Sequence, residues 1–175
     1  MKKIAVLVSG GGTNLQSIID SVESGYLELE IAVILSNKED AYALTRARSH
    51  GIPTAVVRHG HFGNREDFEH RLIELLDGYG VDLVVLAGFM RVLTPLFVKH
   101  YHHRIMNIHP ALLPSFPGTH GQQQAHDYGV RFTGCTTHFV DEGTDTGPII
   151  LQAVVPVLPD DTVDELAARI LKEEH

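Results

Sequence analysis

The sequence predicts an α/β protein: a doubly wound, mostly parallel, Rossmann-like sheet with an antiparallel strand pair in the C-terminal half. Three observations carry this expectation. Residues 4–8, 31–35 and 83–87 are short, uniformly apolar runs, each followed within two residues by Ser or Gly. Such runs read as parallel strands buried on both faces. Apolar stripes at helical spacing lie between them. Near the C-terminus two strand-like runs, 135–140 and 149–155, are separated only by DEGTDTGP, which is too short for a crossover helix.

The elements follow in order. After the first strand, Thr13 and Gln16 are spaced as a capping box. Leu15, Ile18, Ile19 and Val22 then form one helical face, which Gly25 closes. Residues 31–35 form the second strand, residues 41–50 a helix ended by Gly51 and Pro53, and residues 54–57 a short strand. HGHFGN at 59–64 is a loop. Asn64 caps a helix running to Asp77, with Phe68, Leu72, Leu75 and Leu76 as its stripe. Residues 83–87 are a strand stopped by Gly88. Residues 94–100 are a short helix with Pro95 in its first turn, and residues 104–108 are another strand. At the end, Thr162 and Glu165 form a second capping box ahead of the stripe Val163, Leu166, Ala167 and Ile170. No repeat or linker interrupts the chain. One domain over 1–175 is expected, in two halves, 1–100 and 101–175.

Composition narrows the function. The net charge is −8 with no basic block, which argues against nucleic acid as a partner. The single cysteine, Cys135, excludes an internal disulfide and a thiolate metal cluster. The N-terminal apolar run is too short for a signal segment or a membrane span, so a cytoplasmic protein without a membrane partner is expected. Twelve histidines invite a metal reading. His100, His102 and His103 lack a carboxylate at ligand spacing, so no metal is expected. Cys135 and His138, three apart on one strand, point to opposite faces.

Two stretches carry chemistry. SGGGTNLQ at 9–16 places three glycines between a strand and a helix N-terminus. Gly12, Thr13 and Asn14 could hold an anion there, although a plain tight turn would need glycine too. No Gly-Lys-Ser/Thr follows, and Leu15 stands where a dinucleotide fingerprint needs its third glycine. A phosphate monoester is therefore expected, not NAD. The second stretch is MNIHPALLPSFPGTHG at 106–121. Asn107 and His109, two apart on a strand, share a face at its carboxyl end. Pro110, Pro114 and Pro117 then deny helix to the following segment and make it a wall. Asn can donate to an oxyanion and His can carry a proton. The loop DEGTDTGP offers Asp141, Glu142 and Asp145 as the partnering carboxylate.

These stretches resemble one family. MNIHPALLPSFPGTHGQQQA with TGCTTHFVDEGTDTGPIILQ, SGGGTNLQSI and AGFMRVLTP closely resembles the phosphoribosylglycinamide formyltransferases, the folate-dependent glycinamide ribonucleotide transformylases of purine synthesis. The resemblance runs over nearly the whole chain. It implies the formyltransferase fold and formyl transfer from 10-formyltetrahydrofolate, as co-substrate, to the amine of glycinamide ribonucleotide, without a metal, by a monomer or homodimer. By the same resemblance, Asn107, His109 and Asp145 match the catalytic residues. Gly12, Thr13 and Asn14 match the segment that holds the substrate phosphate. Arg65, Met90, Arg91, Val92 and Leu93 match positions lining the folate site. Asp141, Glu142, Gly143 and Thr144 match the loop around the pterin, with His138 beside the catalytic group, and Glu174 matches a glutamate touching the ribonucleotide. Two histidines before Arg65 depart from the pattern and are read as a solvated loop. A methionyl-tRNA formyltransferase would need a basic domain for its tRNA. A formyltetrahydrofolate hydrolase would have no use for the glycine turn, and a non-catalytic binding module none for the converging Asn, His and Asp.

Overall fold

The structure, a computed structural model, describes residues 1–175. Its packing divides into two compact units, Met1–Met106 and Asn107–His175. The first holds β1 (Lys2–Val8), α1 (Thr13–Glu23), β2 (Leu29–Ser36), α2 (Tyr42–Ser49), β3 (Thr54–Val56), α3 (Arg65–Gly78), β4 (Leu83–Leu86) and α4 (Pro95–His100). Strand β5 (Ile105–His109) carries the chain into the second unit, which holds α5 (Gly121–Tyr128), β6 (Phe132–Phe139), β7 (Ile149–Pro156) and α6 (Val163–Glu174). The seven strands hydrogen-bond in the order β3-β2-β1-β4-β5-β6-β7. The pairs β1–β2, β1–β4 and β2–β3 are parallel, and β6–β7 is antiparallel. This is the mixed, mostly parallel sheet expected from the sequence.

In the first unit the core is built from the strands that read as continuous apolar runs. Ile4, Val6, Val8, Ile31 and Ile34 pack with Leu15 and Ile19 of α1 and Ala43, Leu44 and Ala47 of α2. The Asn64 side chain accepts the Asp67 N–H at 2.8 Å and caps α3 as predicted. The predicted capping box at Thr13 does not form. Gly12 is the N-cap, at φ 74°, and its carbonyl accepts the Gln16 N–H. The reason is close packing. A Cβ at residue 12 would sit 2.6 Å from that of Ala43, so glycine takes the cap and Thr13 becomes the first helical residue. The amide of Gln16 bonds Asp20 instead. HGHFGN contains one 3-10 turn, His59–His61, within the predicted loop.

In the second unit Cys135, Val155, Leu166 and Ile170 form a small core between the β6–β7 pair and α6. Both halves of the Thr162–Glu165 capping box are present. The segment after β5 has no ladder of its own and is held by side chains. Thr136 donates to the Ala111 carbonyl at 2.7 Å and accepts the Leu113 N–H at 3.0 Å. The Gln152 amide donates to the Leu113 carbonyl and to the Thr136 hydroxyl. Helix α5 was not expected from the sequence.

Two stability predictions arise here. A Cβ at Gly134 would overlap the carbonyl oxygen of Ala153 on the paired strand β7, with Leu112 pressing on the same point. Gly134→Ala should cost about 3 kcal/mol or more, because backbone must shift to make room. Denaturant unfolding checks this; an unchanged midpoint would contradict it. The second concerns Asp161, whose carboxylate accepts two bonds from Arg169 at 2.7 and 2.8 Å. That guanidinium lowers its pKa from 3.8 to about 2. The pair therefore contributes stability that is complete above the unfolded value of 3.8 and lost as pH falls through about 2. Asp161→Asn should melt below the wild type at pH 7, and the gap should close between about pH 4 and pH 2. A gap that persists at pH 2 would contradict it.

Candidate active site

The second unit gathers four of the residues singled out in the sequence. Strand β5 ends with Asn107 and His109, and β6 carries His138 two residues before it meets the acidic loop. Asp145 in that loop adopts φ 54°, a conformation Asp tolerates better than most residues. Its Oδ2 accepts the Gly118 N–H at 2.7 Å and lies 3.4 Å from His109 Nδ1. Its Oδ1 lies 3.6 Å from His138 Nε2. The Asn107 amide stands 3.3 Å from His138 Nε2. One carboxylate thus faces two imidazoles, and the amide that shares the His109 face touches the second.

Hydrogen bonding assigns the protons. His109 Nε2 is 2.7 Å from the Phe116 carbonyl, which only accepts, so Nε2 carries a hydrogen. A second proton on His109 must therefore sit on Nδ1, facing Asp145. His138 Nδ1 donates to the Phe139 carbonyl at 3.0 Å, leaving Nε2 to accept from Asn107. The second N–H of Asn107 is left for a ligand. Both ring nitrogens of His109 face acceptors, the Phe116 carbonyl and the Asp145 carboxylate. His109 and His138 are both buried, and Asp145 is nearly so, which strengthens electrostatic effects among them.

The rest of the acidic loop is placed differently. Asp141 accepts the Thr146 hydroxyl at 2.6 Å and the Gly143 N–H at 2.9 Å. The Thr146 bond leads in holding its carboxyl below the usual carboxylate range. Asp141 therefore shapes the loop, while Glu142, Gly143 and Thr144 are exposed. Glu174, at the end of α6, acts with burial to raise the Cys135 thiol, burial being the larger cause. Cys135 is a buried core residue, in keeping with its strand position.

The first unit holds the other predicted positions. The carbonyls of residues 10 and 11 are tied to α2 by the Ala43 N–H and by Arg46 Nε, at 3.0 and 2.7 Å. Thr13 and Asn14 open α1, at the end where a helix directs its first N–H groups outward. Arg65 begins α3 and is exposed. Met90 and Val92 are exposed apolar side chains, flanking the part-buried Arg91 and Leu93. Two buried polar groups hold that segment. Ser9 accepts the Met90 N–H at 2.8 Å, and Glu69 accepts both the Thr94 N–H at 2.6 Å and the Thr94 hydroxyl. Glu69, 1% exposed, escaped the sequence reading. The signal was there: it falls on the stripe of Phe68 and Leu72, where an unpaired charge would be costly. Arg46 also went unnoticed, since nothing in its spacing ties it to the glycines.

A family model described as formyl transferase matches residues 2–175. The chain belongs to the formyl transferase family. Among family relatives, the phosphoribosylglycinamide formyltransferase of Haemophilus influenzae is 46% identical over 175 residues, which is all of this chain and 82% of that protein. The trifunctional purine biosynthetic protein adenosine-3 of Drosophila melanogaster is 48% identical over 176 residues, covering 99% of this chain. The chain spans only 13% of that longer protein. The crystal structure of glycinamide ribonucleotide transformylase 1 from Symbiobacterium toebii superposes with a TM-score of 0.98 at 49% identity, covering 99% of this chain and 82% of that one. No helix of this formyl transferase is long and apolar enough to cross a membrane.

Proposed function

We propose that this chain transfers the formyl group of 10-formyltetrahydrofolate to the amine of glycinamide ribonucleotide, a step of purine biosynthesis. The observation that carries the reading is the cluster of Asn107, His109, His138 and Asp145, with neighbouring polar atoms 3.3–3.6 Å apart. It occurs in a chain 46% identical to proteins named for that reaction.

In this reading the neutral amine attacks the formyl carbon and a C–N bond forms. The carbonyl oxygen becomes an oxyanion, which accepts the second N–H of Asn107. The amine's proton passes to Asp145, whose carboxyl can hand it on to His109 Nδ1, the ring nitrogen that faces it. The bond between the carbon and the folate N10 then breaks, and N10 takes the proton. Gly12, Thr13 and Asn14 hold the substrate phosphate through the N-terminus of α1. Glu174 contacts the ribonucleotide. Arg65, Met90, Arg91, Val92 and Leu93 contact the folate, and the loop 141–144 borders its pterin.

The phosphate assignment is tested by comparing glycinamide ribonucleotide with its dephosphorylated riboside. The riboside should raise KM on the order of 10²-fold, the equivalent of one or two hydrogen bonds to a charged group. Equal KM values would contradict it.

A further inference from the structure

The two central groups of the site are held by three consecutive residues that the proposed reaction leaves idle. The Phe116 carbonyl takes the His109 Nε2 hydrogen at 2.7 Å, and the Gly118 N–H donates to Asp145 Oδ2 at 2.7 Å. Pro117, between them, has no N–H and a fixed φ, which stiffens the spacing of the two contacts. Phe116 does this at φ 54°, a backbone conformation that an L-residue with a bulky side chain seldom adopts. Something outside the residue must keep it there.

Helix α5 supplies the hold. The ring of Tyr128 packs edge-on against Phe116, with centroids 5.7 Å apart and planes at 62°. The Gln124 amide donates to the carbonyls of Pro117 and Thr119, at 3.0 and 2.8 Å. Gly121, the first residue of α5, passes so close that a Cβ there would lie 3.3 Å from His109 Nε2. Tyr128 is 80% exposed, and its ring contact with Phe116 gives that exposed ring a function.

We infer that residues 116–118 are a backbone clamp, braced by Tyr128 and Gln124, that fixes the tautomer of His109 and the orientation of Asp145 together. Tyr128 and Gln124 are positioning residues in this account. The clamp matters because His109 can present Nδ1 to Asp145 only while Nε2 keeps its hydrogen on Phe116. If the carbonyl swings away, nothing selects that tautomer, and the proton site facing Asp145 is lost for part of the population. The inference rests on the formyl-transfer reading for its effect on rate, but not for its effect on the imidazole.

The test uses the full chain and two readouts. The 15N signals of the His109 ring, assigned by their absence in His109→Asn, report the tautomer. Steady-state kinetics report kcat and both KM values. Tyr128→Ala and Gln124→Met should each turn a single Nε2–H tautomer into a mixture. Each should lower kcat by up to the order of 10²-fold expected of a small misplacement, with both KM values within about twofold. Tyr128→Phe, which keeps the ring contact, should match the wild type in both readouts. An unchanged His109 signal in Tyr128→Ala and Gln124→Met would overturn the inference, whatever happens to kcat. A changed signal with wild-type kcat would overturn it equally. A wild type that turns over no formyl folate would refute the formyl-transfer reading instead, and the nitrogen signals would still decide the clamp.

Discussion

Replacing His109 with alanine should lower kcat by about 10²–10⁴-fold, the usual worth of a positioned proton-carrying group. The ring is 3% exposed and sits between the Phe116 carbonyl and the Asp145 carboxylate. Its removal takes away the ring nitrogen that faces Asp145 and leaves the part-buried Phe116 carbonyl without its partner. The same loss should cost about 1–3 kcal/mol of stability, the penalty for an unsatisfied buried group. Both effects are checked on one preparation, by kcat at saturating substrates and by chemical denaturation. A kcat within tenfold of the wild type would remove His109 from the chemistry.

Asp145→Asn should be nearly as damaging to rate and far gentler to the fold. Asn tolerates the left-handed conformation that Asp145 adopts, and its amide oxygen can still accept the Gly118 N–H. What it cannot do is take a proton from the substrate amine and pass it to His109. A comparable neutralisation beside a catalytic imidazole costs about 10⁴-fold in the serine-protease triad, and a loss of about 10²–10⁴-fold is expected here. The thermal midpoint should move by only a few degrees. Retained kcat together with a large drop in melting temperature would make Asp145 a loop-forming residue only.

The legibility of this molecule in its sequence followed the kind of interaction involved. Apolar runs and stripes read directly, because burial alone decides them. Strands β1, β2 and β4, the α3 cap at Asn64 and the α6 box at Thr162 all lie where their residues placed them. Helix α5 did not read, since GQQQAHDY has no apolar stripe and buries only Gly121 and Ala125. Its N-cap, His120, makes no side-chain cap bond and is in the left-handed region. Packing within the second unit, not propensity, makes it helical. The capping box at Thr13 failed for a similar reason, because contact with Ala43 leaves no room for a side chain at the cap.

The candidate site divides the same way. Asn107 and His109 were legible because strand alternation puts them on one face. His138 and Asp145 came from the family resemblance and from turn residues around one of three acids, and the geometry then brings His138 to 3.3 Å from Asn107 and Asp145 to 3.4 Å from His109. The Phe116 carbonyl and the Gly118 N–H were invisible, because every residue carries such groups and only tertiary position selects two of them. Glu69 was legible in principle, as a charge on an apolar helix stripe.

The most direct test of the account is release of tetrahydrofolate from 10-formyltetrahydrofolate by the wild-type chain, with and without glycinamide ribonucleotide, beside His109→Ala. The account predicts turnover that requires the ribonucleotide and is lost by at least about 10²-fold in the variant. Equal turnover without the ribonucleotide, or an unaffected variant, would contradict it.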